Sequence, residues 1–361
     1  MSITWIAVAI AFFFAMNIGA SGAAASMGVA YGTGSIRRKR LALLCVAAAV
    51  FLGAYLGGGE VVKTLGSGIV PQQLLTVETV IIILLAASLT LFGANLMGIP
   101  LSTSEVTVGS VIGIGVAYQQ LQGATILLIV SFWVVIPFLA FALAWGGGLL
   151  IRRFGRRSAA DGSSGGTRTK ILSLLVVAAG CFEAFSAGMN NVANAVGPLV
   201  GAGLMSTGSG ILWGGLFVAL GAVLLGGRVL ETNGKKITRL SLPQGILISG
   251  TGGALVVVAS LMGIPVPLTQ ITTTAILGIG TAEQGRKLWQ KDIIGKILKV
   301  WIVSPVVSLV VSYTLVKLFL LPDPFVLIVL AAILVSSVGL KSLYDASQYE
   351  KRNVNEDGSG I

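Results

Sequence analysis

The chain has no histidine at all, only two cysteines, and 37 charged side chains among 361 residues, or 10%. Each shortage excludes something. Without histidine there are no His-based metal sites, no Ser–His nucleophile and no imidazole proton relay. Cys45 and Cys181 lie in apolar runs far apart in sequence and read as small core residues rather than a disulfide or metal site. A soluble domain carries about a quarter charged residues, so so little charge argues against one. Gly280–Lys287 imitates a phosphate-binding loop but lacks its Lys-Ser/Thr ending, which leaves an ATP-driven pump unsupported. No nucleophile–base pairing supports an enzyme either. Ile3–Phe14 has no Lys or Arg ahead of it, so a cleaved signal peptide is not expected.

What the chain does have is apolar length. Hydrophobic residues make up 55% of it, and runs of about 20 recur throughout, the length of a helix crossing a bilayer. The 49 glycines suit close helix packing in lipid. Spans are expected over Ile3–Ile36, Leu41–Gly57, Val77–Leu96 and Ala124–Ile151, with a basic Gly/Ser-rich linker over 152–169. The first of these is broken by Asn17, Gly19 and Gly22.

The second half repeats the first. Gly188-Met-Asn-Asn-Val-Ala-Asn-Ala-Val-Gly-Pro198 has a worn copy at Gly19–Gly28, and Gly34 matches Gly203 at the same offset of 169 residues. Leu96-Met-Gly-Ile-Pro100 recurs outright as Leu261–Pro265, an offset of 165, and Trp133–Pro137 recurs as Trp301–Pro305. With Arg37–Arg40 placed in the cytoplasm, 22 of the 24 lysines and arginines fall on that side, as the positive-inside rule requires. Matching loops then face opposite sides. The expectation is an all-α polytopic membrane protein of two inverted-topology repeats with broken helices and re-entrant hairpins, plus one extra C-terminal span. Its parts are a first repeat at 1–151, the linker at 152–169, a second repeat at 170–320, and the extra span with a cytoplasmic tail at 321–361. The N-terminus is expected outside and the C-terminus inside.

Inverted repeats with interrupted helices are the architecture of secondary transporters, with the solute held near the midplane. Pro100 and Pro265 mark the interruptions, and about 12–16 residues follow each before the next polar loop, short for a full span of roughly 20, so each reads as half of a re-entrant hairpin. A helix starting after Pro100 would aim free N–H groups and its positive end inward, beside the hydroxyls of Ser102, Thr103 and Ser104. Asn190, Asn191 and Asn194, expected at a helix break, add amides that are costly in lipid unless they bind something. Together these are donors for an oxyanion. Glu105 and Glu183 are the acidic residues placed well inside the apolar region, where a carboxyl can take up and release a proton. Glu105, beside the hydroxyls, is the better coupling candidate.

Gly188–Gly203 resembles the Gly-Ala-Asn-Asp-Val-Ala-Asn-Ala signature of the inorganic phosphate transporter (PiT) family, and Leu96–Glu105 resembles its Gly-x-Pro-x-Ser-Thr-Thr-His segment. The resemblance spans roughly residues 5–315 and implies symport of an oxyanion, most often phosphate, with sodium or protons. The departures are informative. The signature Asp is Gly22 in one copy and Asn191 in the other, and the His positions hold Glu105 and Gln270. Loss of both Asp residues removes hard ligands for sodium and carboxylates able to accept from a protonated phosphate. Sulfate at neutral pH is acceptor-only, so a donor-lined site favours it. The Met16–Gly22 form also resembles the bacterial sulfate permeases of this family.

The expected substrate-binding set is Ser21, Gly22, Ser102, Thr103, Ser104, Asn190, Asn191, Asn194, Thr269 and Gln270, with Glu105 and Glu183 for proton coupling and no metal or cofactor. Expected partners are sulfate or another tetrahedral oxyanion, the coupling proton with sodium as the weaker choice, the lipid bilayer of a bacterial cytoplasmic membrane, and, left open, a second copy as a homodimer; nucleic acid is not expected. Phosphate symport is the alternative within the class, and a passive anion channel the alternative outside it.

Overall fold

The computed structural model describes residues 3–96, 101–160, 166–231, 240–285 and 293–326, with scattered helical positions from 328 to 336. The break at 97–100, parts of the basic loops (161–165, 232–239 and 286–292) and the tail at 337–361 lie outside the described residues. So does half of the extra C-terminal span expected at 325–340.

Among the described residues ten longer helices carry the architecture: α1 Ile3–Ile18, α2 Lys39–Gly57, α3 Val77–Leu96, α4 Thr103–Ala117, α5 Gly123–Ala160, α6 Gly166–Gly201, α7 Thr207–Leu225, α8 Leu242–Leu261, α9 Leu268–Gln284 and α10 Ile293–Phe319. Eight segments among the described residues are long and apolar enough to cross a membrane, while α4 is a shorter apolar piece of 15 residues. Large apolar side chains such as Trp5, Leu127, Phe138 and Ile302 point outward uncovered, as lipid-facing positions should. Two compact units divide the chain at Ser312. The first, Met1–Ser312, holds everything discussed below. The second begins in the last turns of α10, where Lys317 lies over the Tyr313 ring.

Glycine decides how closely these helices approach. A Cβ at Gly19 would run into the Val218 carbonyl of α7, and one at Gly221 of α7 into the Met16 carbonyl. The same crossing is built again between α6 and α2: a Cβ at Gly188 would strike the Val50 carbonyl, and one at Gly53 the Phe185 carbonyl. All four partners correspond at an offset of 168 or 169 residues. The repeat read in the sequence is therefore a repeat of packing, since backbones touch only where a side chain is absent from both copies.

Between α1 and the following short helices, Gly19–Ala23 forms a π-helical turn. Such turns leave a widened backbone, often at functional positions. The second copy differs from expectation. α6 runs as one continuous helix through all three asparagines, with Pro198 inside its last turn. The interruption at the signature belongs to the first copy alone. After α8, the chain leaves helical geometry at Gly263, whose φ of 73° suits glycine, and runs through Ile264–Pro267 before α9 begins.

Candidate functional site

The start of α4 meets the middle of α6. Ser102 takes the N-cap position with an extended backbone, but its side chain makes no capping bond, so capping is not the work of its hydroxyl. Ser102, Thr103, Ser104 and Glu105 are all buried. Thr103 and Ser104 turn toward the asparagines. Asn194 Nδ2 donates to Ser104 Oγ at 3.2 Å and Thr103 Oγ1 at 3.3 Å. Both hydroxyls approach Asn191 Oδ1 at 3.5 Å, and Ser104 Oγ lies 3.4 Å from Asn190 Oδ1. These separations sit at or beyond the long end of the hydrogen-bond range. The network is weak, so an inserted oxyanion would displace little of value. Its members are neutral donors and the uncapped N-terminus of α4. One acceptor is left over: Asn194 Oδ1 is buried without a partner.

The first copy closes the site from the other side without lending it a group. A Cβ at Gly22 would stand 3.6 Å from Asn191 Nδ2, an ordinary contact. The two positions corresponding to the signature Asp thus face each other, one bare and one an amide. Ser21 is turned away, its hydroxyl donating to the Asn17 carbonyl of its own helix at 2.9 Å.

Asn190 has a different occupation from its neighbours. Its Nδ2 donates to Ser260 Oγ and to the Ile264 carbonyl, both at 3.0 Å, while its Oδ1 accepts from Val266 N at 3.0 Å. These bonds clamp the non-helical segment before α9. Trp133 of α5 adds a bond from Nε1 to the Pro265 carbonyl at 2.9 Å.

Both buried acids sit one layer out. Glu105 accepts from Gln270 Nε2 of α9 through one carboxyl oxygen and from Ser304 Oγ of α10 through the other. Gln270 is thus spent on Glu105 rather than on the asparagine cluster. Thr269 is half-buried, and none of its recorded bonds reaches the cluster. Glu183 of α6 accepts from Thr272 Oγ1 of α9 at 2.9 Å, with Gly252 of α8 close by. Among the described residues the ion pairs are Lys39–Glu231 and Lys63–Glu60, and neither involves these acids.

The structure therefore brings together Gly22, Thr103, Ser104, Asn190, Asn191 and Asn194. It sets Glu105 with Gln270 beside them and leaves Ser21 and Thr269 apart. Sequence reasoning missed Ser304, Ser260 and Thr272. Ser304 carried a visible signal, since it stands where the matching motif of the first repeat has Ile136, a hydroxyl at an otherwise apolar station.

Comparison with known proteins bears on the family and the fold. The phosphate transporter family profile matches residues 18–312. The chain belongs to that family. A sulfate permease, CysP, of Bacillus subtilis (strain 168) is 55% identical over 355 residues, covering 98% of this chain and 99% of that protein. A putative phosphate permease of Haemophilus influenzae is 27% identical, covering 84% of this chain and 93% of its own length. Among solved structures, a sodium-dependent phosphate transporter superposes with a TM-score of 0.75 at 24% identity, over 89% of this chain and 100% of that one, which speaks to the fold. The family is one of transporters, and with eight helices among the described residues long and apolar enough to cross a membrane this chain is a multi-pass membrane protein of that class.

Proposed function

We propose that the protein imports sulfate across a bacterial cytoplasmic membrane by proton symport, two inverted repeats alternating access to an anion held at their interface. The observation that carries this reading is the meeting of the uncapped α4 start, Thr103 and Ser104 with the Asn191 and Asn194 amides, a buried donor set with no carboxylate among its members. A dianion that only accepts hydrogen bonds suits such a site, and the 55% identity to a protein named a sulfate permease points the same way. Support for two-fold related halves comes from corresponding residues that touch one another: Gly22 with Asn191, and Glu105 with Gln270. Equivalent positions meet only near an axis relating the two copies, and the basic loops favour an axis in the membrane plane. The repeats then run over 1–151 and 170–320, joined by 152–169, with the N-terminus outside and the tail from 321 inside.

Radiolabelled sulfate uptake into proteoliposomes tests the substrate: uptake should survive a large excess of phosphate. Glu105→Gln tests the coupling. It should lower pH-driven accumulation by about tenfold or more while sparing sulfate–sulfate exchange, one proton fewer being linked to each cycle. Unchanged pH dependence would remove Glu105 from the mechanism.

A second reading has one observation in its favour. Asn194 Oδ1 lacks a donor, and the P–OH of hydrogen phosphate would supply one. Phosphate symport with protons or sodium is the outcome if phosphate competes strongly.

A further inference from the structure

Among the described residues each repeat contributes one buried carboxyl, at different stations. Glu105 lies in the first repeat, and its counterpart in the second is Gln270. Glu183 lies in the second, and its counterpart in the first is Phe14. The two acids are 1% and 3% exposed. We propose that two protons travel with each dianion, one on Glu105 and one on Glu183, so that each transport cycle moves no net charge across the membrane. This rests on the sulfate–proton reading above and adds its stoichiometry.

Three features support it. First, each acid has a hydroxyl partner. Ser304 Oγ faces Glu105, and Thr272 Oγ1 faces Glu183 with Ser249 as a second hydroxyl neighbour. A hydroxyl donates to a carboxylate and accepts from a protonated carboxyl, so both states are satisfied. An Arg or Lys partner would hold the acid ionised through the whole cycle. Second, the groups facing the acids are neutral on every side that the contacts define: Gln270 from α9 and Ser304 from α10 at Glu105, Thr272 from α9 and Ser249 from α8 at Glu183. The other titratable groups nearby on α6 and α2 are the thiols Cys181 and Cys45, which face each other. Among the described residues no fixed cation faces either acid, so protons must carry the balancing charge if net charge is not to cross the membrane. Third, Gln270 and Thr272 occupy the first turns of α9, directly after the segment that Asn190 clamps. A shift of that segment would re-aim the partners of both acids together, so the two protonations would change in one movement.

The cycle balances simply. Each carboxylate takes a proton from the outer aqueous phase as the anion enters, and releases it to the inner phase as the anion leaves. Two positive charges then accompany two negative ones.

The test is equilibrium accumulation of radiolabelled sulfate in proteoliposomes, with the membrane potential clamped by potassium and valinomycin. Two protons require accumulation to rise about a hundredfold per unit of pH difference, and to ignore the potential. A rise of about tenfold, with accumulation lowered by an inside-negative potential, means one proton and overturns the proposal while symport stands. Accumulation that ignores pH altogether defeats the symport reading itself. Glu183→Gln and Glu105→Gln should each reduce the wild-type slope to about tenfold and introduce dependence on the potential. A hundredfold slope retained in Glu183→Gln would remove that residue as a carrier and overturn the assignment. The wild-type slope decides the count even if a variant fails to insert.

Discussion

The two copies of the signature stretch share a packing scheme and divide the chemistry unequally. At α6 the stretch is a continuous helix presenting three buried amides. At Gly19–Ala23 the corresponding backbone is a π-turn whose side chains are small, and whose one hydroxyl, Ser21, is absorbed by its own helix. Asn190 clamps the segment before α9, whereas its counterpart Ser21 clamps nothing across the bundle. The outlying stations show the same asymmetry. Thr272 meets Glu183, whereas its counterpart Thr107 is buried without a partner, and the station corresponding to Glu183 holds Phe14. The close glycine packing is thus built twice, while the buried amides are present in one copy of the stretch only.

That division can be broken experimentally. Asn191→Leu should have the largest effect, cutting sulfate uptake by about a hundredfold, since it removes a donor to a charged ligand worth about 1.5–3 kcal/mol and adds an apolar obstruction. Gly22→Asp comes next. The new side chain fits, with Asn191 Nδ2 3.6 Å from its Cβ, and places a like charge against the dianion. Sulfate uptake should fall by about tenfold, and phosphate should compete better than in the wild type. Asn190→Ala should act on stability, lowering it by about 2–3 kcal/mol in thermal unfolding of the purified protein, because buried groups at Ser260, Ile264 and Val266 lose their partner. Ser21→Ala should do least: uptake within about twofold of wild type and stability within about 1 kcal/mol, the cost of one local bond. Equal losses from Ser21→Ala and Asn191→Leu would erase the distinction between the copies.

Much of this was legible before the structure. Apolar runs fix where helices lie because lipid leaves few alternatives to a hydrogen-bonded helix. Leu261–Pro265 announced the non-helical segment before α9 because proline and a positive-φ glycine cannot continue a helix. The hydroxyls at 102–104 were found because three polar residues after a proline have few uses in a membrane. What stayed hidden depends on contacts between distant helices. Nothing local distinguishes Asn190, which clamps, from Asn191, which faces Gly22; adjacent residues on a helix simply point about 100° apart. Nor does sequence tell that the π-turn falls in the first copy while α6 continues unbroken. The sequence repeat implies equality, and the surrounding packing breaks it. Ser304 could have been suspected from Ile136, but its partner Glu105 lies 199 positions away.

The central claim is that a tetrahedral dianion rests among the neutral donors of α4 and α6. Selenate, with an anomalously scattering centre in the same tetrahedral shape, locates that position directly in a crystal of the protein. The account requires a single strong peak within hydrogen-bonding reach of Thr103, Ser104, Asn191 and Asn194. A peak elsewhere, with those side chains still bonded to one another, would contradict it.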